Sequence, residues 1–256
     1  MTREEKFLIN NLEINFKIDG EGEPFLILHG WGRGSDSWIE VQKLITGQGY
    51  KVIIPDFPGF GKSCPPSKAW SLDDYVEWLK SFLDNLVAEK FFLLGHSFGG
   101  RVAIKFAAKY PEKISKLILY EAAGIRHKTP SLFIFFLISK VGNIFSFLPF
   151  YSSFRKIFYR YIVRKKDYLE AKGIMRETFL KVIGEDLVPY LSQISIPTFI
   201  IWGAKDRVTP LADATLMKKE IPNSELQVIP EMGHAFHHQN PDKLTQTILQ
   251  YLKKLT

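Results

Sequence analysis

The segment Gly95-His96-Ser97-Phe98-Gly99 sets one hydroxyl between two glycines, with the apolar run FFLL before it and GGRVAIKFAAKY after it. A sharp strand-to-helix turn explains such a pattern. It strains the backbone of the central residue and leaves no room for side chains two positions away on either side. Ser97 Oγ then stands clear of the main chain. The first N–H groups of the following helix face any oxyanion formed beside it. The five residues alone also fit a glycine-rich turn holding an incidental serine, so the reading depends on partners elsewhere in the chain.

A serine hydroxyl is a weak nucleophile until a base takes its proton, and the base needs an acid to orient it. Asp206 in GAKDRVTP and His234 in EMGHAF each follow an apolar, β-rich run, FIIW and LQVIP. Both therefore fall at the carboxyl end of a strand, where catalytic groups gather in open α/β sheets. Ser97, Asp206 and His234 stand in the order nucleophile, acid, base. Asp206 has a rival in Glu121, which ends the run KLILYEA. It also has a structural alternative, as the cap of the helix after Pro210 or the partner of Arg207. His96 is tethered too closely to Ser97 to reach its Oγ, and His237 and His238 belong to HHQN, which reads as the lead-in to the last helix. Acyl transfer further requires donors for the developing O⁻, each worth about 100- to 1,000-fold in rate. The candidates are the backbone N–H groups of Trp31, in LHGWG at 28 to 32, and of Phe98. Gly30 and Gly32 admit close approach there, and His29 is expected to order the loop; an ordinary βα turn is the plain alternative.

The elements that must carry these residues follow from periodicity. FLIN and LEINFKI read as an opening hairpin. PFLILH, YKVIIPDF, KFFLLG and KLILYEA are continuously apolar, as parallel strands covered on both faces are. SLDDYVEWLKSFLDNL repeats its apolar residues at three- and four-residue spacing behind Ser71 as N-cap and Asp74, the signature of a surface helix. After Ile194 the alternation resumes with PTFIIWG, a helix from about Leu211 to Glu220, ELQVIP, and a closing helix PDKLTQTILQYLKK. Residues 124–190 interrupt it: no strand pattern is evident, and phenylalanines crowd the stretch, Phe133, Phe136, Phe147 and Phe154 among them. The expected organisation is a core of 1–123 and 191–256 with a helical cap of 124–190 inserted after the sixth strand.

In this order, HGWG, PDFPGFGKS, GHSFGG, GAKD and GHAFHHQNPDKL make the chain resemble the α/β-hydrolase fold family, specifically its capped single-domain members, from about Phe25 to the C-terminus. The resemblance implies a mostly parallel central sheet with helices on both faces. It also implies a Ser97, Asp206, His234 triad with an oxyanion hole at Trp31 and Phe98. No metal or cofactor is called for. The PDFPGFGKS stretch, with Asp56, Gly59, Gly61 and Ser63, is similar to a family loop of structural role. Serine in the nucleophile slot separates the chain from the related dehalogenases and epoxide hydrolases, which carry aspartate there. Arg101 stands where a smaller residue is expected, either as a surface group or as a sensor of an acid. The implied reaction is hydrolysis of a small-molecule carboxylic ester with an apolar or aromatic acyl group through an acyl-enzyme. Carbon-carbon bond hydrolysis of diketone-like dienoates, lactonase or acyltransferase chemistry, and a ligand receptor on the same scaffold are the alternatives.

Composition bounds the partners. The 256 residues are 46% hydrophobic, ample for one large α/β core. The net charge of +7 is local: residues 124–190 hold twelve Lys or Arg against five Asp or Glu, which accounts for the whole excess. With no zinc-finger, RNA-recognition or phosphate-loop pattern, nucleic acid is not an expected partner. The basic, aromatic cap has an anionic membrane surface as its lesser alternative, and the oligomeric state stays open. The lone Cys64 excludes an internal disulfide framework, and MTREEKFLIN lacks the apolar core of a signal peptide, so a cytoplasmic location is expected.

Overall fold

The apolar runs pair, in the computed structural model of residues 2–86, 90–126 and 172–254, into one eight-stranded sheet. Its strands are β1 (Arg3–Ile9), β2 (Leu12–Asp19), β3 (Glu23–Leu28), β4 (Tyr50–Pro55), β5 (Phe91–His96), β6 (Ile114–Tyr120), β7 (Thr198–Gly203) and β8 (Ser224–Ile229). They lie in the order β1-β2-β4-β3-β5-β6-β7-β8. The opening hairpin is antiparallel and closes through Asn10 and Asn11, whose φ values of 50° and 65° are those of a two-residue turn that matches strand twist. β2 also runs antiparallel to β4, and every later pairing is parallel.

Helices cover both faces, as expected. On one face α1 (Ile39–Thr46) and α7 (Pro241–Lys254) lay Val41, Ile45, Leu244 and Ile248 over Phe25, Ile27 and other strand residues. On the other, α2 (Leu72–Asp84), α3 (Phe98–Lys109) and α6 (Leu211–Glu220) pack Leu79, Phe82, Val102 and Met217 against Leu28, Leu93 and Leu117. Each such burial of a large apolar side chain contributes about 1.5–3 kcal/mol before chain entropy is subtracted.

Strand order decides where a site can form. β3 lies between β4 and β5, so the crossovers leaving β3 and β5 go to opposite faces, α1 on one and α3 on the other. That divergence opens a crevice at the carboxyl ends of the two strands. The loop after β3 carries His29 to Trp31, and the turn after β5 carries Ser97.

The connection between β6 and β7 holds the segment expected to be the cap. Most of it, including its phenylalanines from Phe133 to Phe154, lies outside the described residues. Its returning end is formed by α4 (Gly173–Gly184) and α5 (Val188–Leu191). The core grips this end: Trp70 N–H donates to Thr178 Oγ1 at 3.0 Å, Lys181 Nζ to Ala69 O at 2.9 Å, and Leu187 N–H to Gly124 O at 3.0 Å. Among the described residues no helix is long and apolar enough to cross a membrane.

At the start of α2, Asp74 N–H donates to Ser71 Oγ at 3.3 Å and Ser71 N–H to Asp74 Oδ2 at 2.7 Å, a reciprocal cap. Ser71→Ala is expected to lower unfolding free energy by about 1 kcal/mol, read from the urea midpoint at unchanged slope.

Candidate active site

Ser97 follows β5 with φ 53° and ψ −112°, left-handed backbone that a β-substituted residue adopts only under constraint. The glycines around it make that possible. A Cβ on Gly95 would lie 2.6 Å from Ala103 Cβ and 2.6 Å from Gly99 O, and one on Gly99 would lie 2.2 Å from Leu28 O. The turn thus wedges α3 against β3 and β5 at van der Waals limits. Ser97 O accepts from Ala123 N–H at 3.0 Å, so the end of β6 holds the turn from its other side.

Asp206 and His234 arrive on loops after β7 and β8 that are tied to each other. Lys205 N–H donates to Met232 O at 2.9 Å and Ala204 N–H to Ile229 O at 3.1 Å. Gly203 allows this approach, since a Cβ there would meet Met232 O at 2.2 Å. His234 Nε2 is 3.1 Å from Ser97 Oγ, and its Nδ1 is 2.8 Å from Asp206 Oδ2. The arrangement calls for the tautomer in which Nδ1–H donates to the carboxylate and Nε2 accepts from the serine. Asp206 Oδ1 accepts from Val208 N–H at 2.6 Å and Thr209 N–H at 3.0 Å, and Thr209 Oγ1–H donates to Oδ2 at 2.6 Å. Burial opposes ionisation of Asp206, but the bonds from His234, Thr209 and Val208 outweigh it and hold its pKa below the ordinary value. Thr209 carries no sequence signal; it stands one residue beyond Val208, whose N–H closes the Asx turn of Asp206.

Glu121, the rival acid, is also present, but farther away. Its side chain is fully buried, its backbone is left-handed with φ 44°, and Oε2 lies 3.7 Å from His234 Nδ1. That exceeds hydrogen-bonding distance. Neither carboxyl oxygen completes a hydrogen bond among the described residues, although Gly203 N–H and the Tyr120 hydroxyl lie near enough to favour its anion. Burial, followed by the negative charge of Asp206, pushes its pKa up to about 9, so it is a neutral acid near pH 7.

The main chain at the expected oxyanion site is arranged by the crevice. Gly30 to Arg33 form a turn closed by Arg33 N–H to Gly30 O at 3.3 Å, and Trp31 is its second residue, whose N–H such a turn leaves unused. Phe98 is the first residue of α3, where N–H groups have no intrahelical acceptor. A Cβ built on Gly30 would be 3.5 Å from Ser97 Cβ, so this loop borders the serine directly. The Trp31 ring contacts the rings of Phe98 at 5.2 Å, Phe60 at 4.7 Å and, from α4, Phe179 at 5.0 Å between centroids.

Among the described residues, His29, His96 and His237 have structural contacts. His29 is buried, with Nδ1 2.8 Å from Gly30 O and Nε2 accepting from Phe57 N–H at 3.0 Å, which orders the loop as expected. His96 Nε2 is 3.0 Å from His234 O, and His237 stacks on Trp38 at 4.4 Å. Burial depresses all three imidazoles, with His237 at about 3. His96, Glu121 and His234 bring one donor atom each to within 4.8 Å of one another, as a metal site does. His96 Nε2 and both His234 nitrogens are already engaged in the contacts above, whereas His96 Nδ1 and the Glu121 carboxyl complete no hydrogen bond among the described residues. Asp56 ties its loop together, accepting from Ser35 N–H at 2.5 Å, Asn15 Nδ2 at 2.9 Å and Lys62 N–H at 2.9 Å. Arg101 is neither a surface group nor an acid sensor. It is buried and donates to Val182 O at 3.1 Å and Glu185 O at 2.9 Å, clamping the end of α4 to α3.

With this geometry in place, relatives can be weighed. The sequence profile of the α/β hydrolase fold matches residues 23–241, and the chain belongs to that family. It is 28% identical to a 2-hydroxy-6-oxo-6-phenylhexa-2,4-dienoate hydrolase of Burkholderia cepacia, over 95% of this chain and 92% of that one. It is 29% identical to a 2-hydroxy-6-oxononadienedioate/2-hydroxy-6-oxononatrienedioate hydrolase of Comamonas testosteroni, over the same shares. Among solved structures it is similar to an esterase from Exiguobacterium antarcticum, with TM-score 0.78, 25% identity, and coverage of 98% of this chain and 100% of that one.

Glu121 leaves a thermodynamic signature. Its folded-state pKa is raised from 4.5 to about 9, so above pH 4.5 the unfolded chain releases a proton that the native state keeps. Stability therefore falls as pH rises through that window and levels off beyond it. The difference in Tm between Glu121→Gln and wild type is expected to grow in favour of the variant from pH 5 to pH 9, measured by calorimetry; a constant difference contradicts a neutral Glu121.

Proposed function

We propose that this hydrolase cleaves carboxylic esters with apolar or aromatic acyl groups by nucleophilic catalysis at Ser97. The observation that carries the reading is the unbroken chain of contacts from Ser97 Oγ through His234 to Asp206, at 3.1 and 2.8 Å. Ser97 Oγ attacks the carbonyl carbon while its proton passes to His234 Nε2. The oxyanion takes hydrogen bonds from the Trp31 and Phe98 amides, and Asp206 stays ionised, stabilising the imidazolium. Collapse expels the alcohol, which takes the proton from His234. Water, activated by the same imidazole, then releases the acid from the acyl-enzyme. Segment 124–190 acts in this reading as the cap that completes the acyl pocket, supported by α4, whose Phe179 joins Trp31, Phe60 and Phe98 beside the oxyanion amides. A small-molecule substrate and a cytoplasmic setting go with it, the latter supported by the lone Cys64.

A second reading has its own support in the dienoate hydrolases of Burkholderia cepacia and Comamonas testosteroni. Here the broken bond joins the acyl carbon to another carbon. The leaving group must then be a resonance-stabilised enolate that takes its proton from His234, and the acyl half leaves as a carboxylic acid.

The two readings separate on substrates. Wild type is expected to turn over p-nitrophenyl butyrate and benzoate faster than a 2-hydroxy-6-oxo-6-phenyl dienoate, with Ser97→Ala at background for all three. Ser97→Ala is likewise expected to abolish labelling by a fluorophosphonate. A kcat/KM ordering that favours the dienoate transfers the conclusion to carbon-carbon hydrolysis; labelling that persists without Ser97 removes the nucleophile assignment.

A further inference from the structure

The two carboxyl groups beside His234 have unequal duties in the reaction described above. Asp206 Oδ2 and Glu121 Oε2 both approach Nδ1, at 2.8 and 3.7 Å. Asp206 is satisfied by three donors of its own loop besides the imidazole. Among the described residues Glu121 completes no hydrogen bond, with only the Gly203 N–H and the Tyr120 hydroxyl close enough to favour its anion. Its main chain is fixed, since Glu121 N–H donates to Ile201 O at 3.0 Å. Gly203 leaves the room that the Glu121 carboxyl occupies, since a Cβ there would lie 2.7 Å from Oε1. A fully buried carboxyl is thus held, without a bond of its own, against the nitrogen that an orienting acid must engage.

We infer that Glu121 is a second orienting acid for His234, silent while Asp206 carries the charge and able to take over the Nδ1 proton when Asp206 is neutralised. The inference rests on the triad reading. Four groups face Glu121: Asp206 from the loop after β7, His234 from the loop after β8, His96 from the end of β5, and Tyr120 on its own strand. His96 is kept neutral by burial, so within this group the charge that opposes a second anion is that of Asp206. Two carboxyls this close share one negative charge. Removing the charge on Asp206 lets Glu121 release its proton to solvent, become the anion, and close the gap of about 1 Å to Nδ1–H. Glu121 is a positioning residue in this role, since it acts on substrate only through the imidazole.

The test is the rate of Ser97 phosphonylation by a fluorophosphonate, followed by mass spectrometry from pH 5 to pH 10 in wild type, E121Q, D206N and D206N/E121Q. With no orienting acid the imidazole settles in the wrong tautomer, and losses of about 10⁴-fold are the reference for such chemistry. D206N/E121Q is expected near that loss at every pH. D206N is expected to gain about tenfold per pH unit until Glu121 has ionised, and to exceed the double variant by at least about tenfold at pH 9. E121Q should cost more in the D206N background than in wild type, a coupling that two independent structural defects do not produce. Coincident D206N and D206N/E121Q profiles overturn the inference. Should the double variant not fold, a D206N profile with the same pH dependence as E121Q, which lacks the carboxyl that must ionise, overturns it by itself. Infrared difference spectra of wild type and E121Q at pH 7 supply a further check, because the protonated-carboxyl C=O band must vanish in E121Q. Failure of the triad reading looks different: S97A would still be labelled.

Discussion

The site depends on one residue held in a conformation it does not favour. Ser97, at φ 53° and ψ −112°, stays left-handed because four elements meet around it with no spare volume. β5 delivers it, α3 departs from it, β3 passes beneath through the Leu28 and His29 carbonyls, and the end of β6 donates to its carbonyl from Ala123. The glycines at 95, 99 and 100 are consequences of that convergence. A methyl group on Gly100 would meet Ala122 Cβ at 2.4 Å, which would push α3 away from β6 and relax the turn. Backbone strain of about 1–3 kcal/mol is sustained by packing over the whole parallel sheet, so the serine is only as well placed as the strands beneath it.

A second layer of constraint makes the loops around the serine behave as one body. His96, next to the nucleophile, holds the carbonyl of His234. His29 joins the Gly30 carbonyl to the amide of Phe57, and Asp56 gathers Asn15, Ser35 and Lys62 onto the same loop. These contacts need neutral imidazoles with defined tautomers, and burial supplies them by depressing His29 and His96. The backbone amides of Trp31 and Phe98 therefore belong to loops that are already ordered, which is the condition under which donors to an oxyanion, the role proposed for them, lower a barrier.

How much of this is legible in the sequence varies with the kind of force involved. The meeting of Ser97, Asp206 and His234 is, because they sit in short, locally determined turns after apolar strands, and parallel topology collects strand ends at one edge. The central strands and α2 are legible for the same reason: burial on two faces, or on one helical stripe, writes itself into periodicity. The helix α1 is not, since IEVQKLIT is rich in β-branched residues and only packing of Val41 and Ile45 on the sheet makes it helical. β1 begins at Arg3 rather than at Phe7 because hairpin pairing with β2 extends an exposed edge that has no apolar pattern. Arg101 misleads for a third reason. Its acceptors are the main-chain carbonyls of Val182 and Glu185, more than eighty residues away, and no residue type announces an unfilled carbonyl at a helix end.

The division between ester and carbon-carbon hydrolysis belongs to this last category. Both reactions use the same hydroxyl, imidazole and pair of amides, so a triad found from spacing is silent on which bond breaks. The difference lies in the leaving group: an alkoxide needs only a proton from His234, whereas a carbanion needs an extended conjugated system held flat while charge moves into it. In the proposed function, the side chains opposite the elbow that would hold a substrate in that way come from the insertion between β6 and β7. The part of it that meets the core carries Phe179 to the edge of the Trp31, Phe60 and Phe98 cluster, an apolar and aromatic wall adjoining the oxyanion amides. In the proposed function such a wall would receive the acyl half of either substrate class. Discrimination would then fall to the side that receives the leaving group, where the two reactions make different demands while using Ser97, Asp206 and His234 alike.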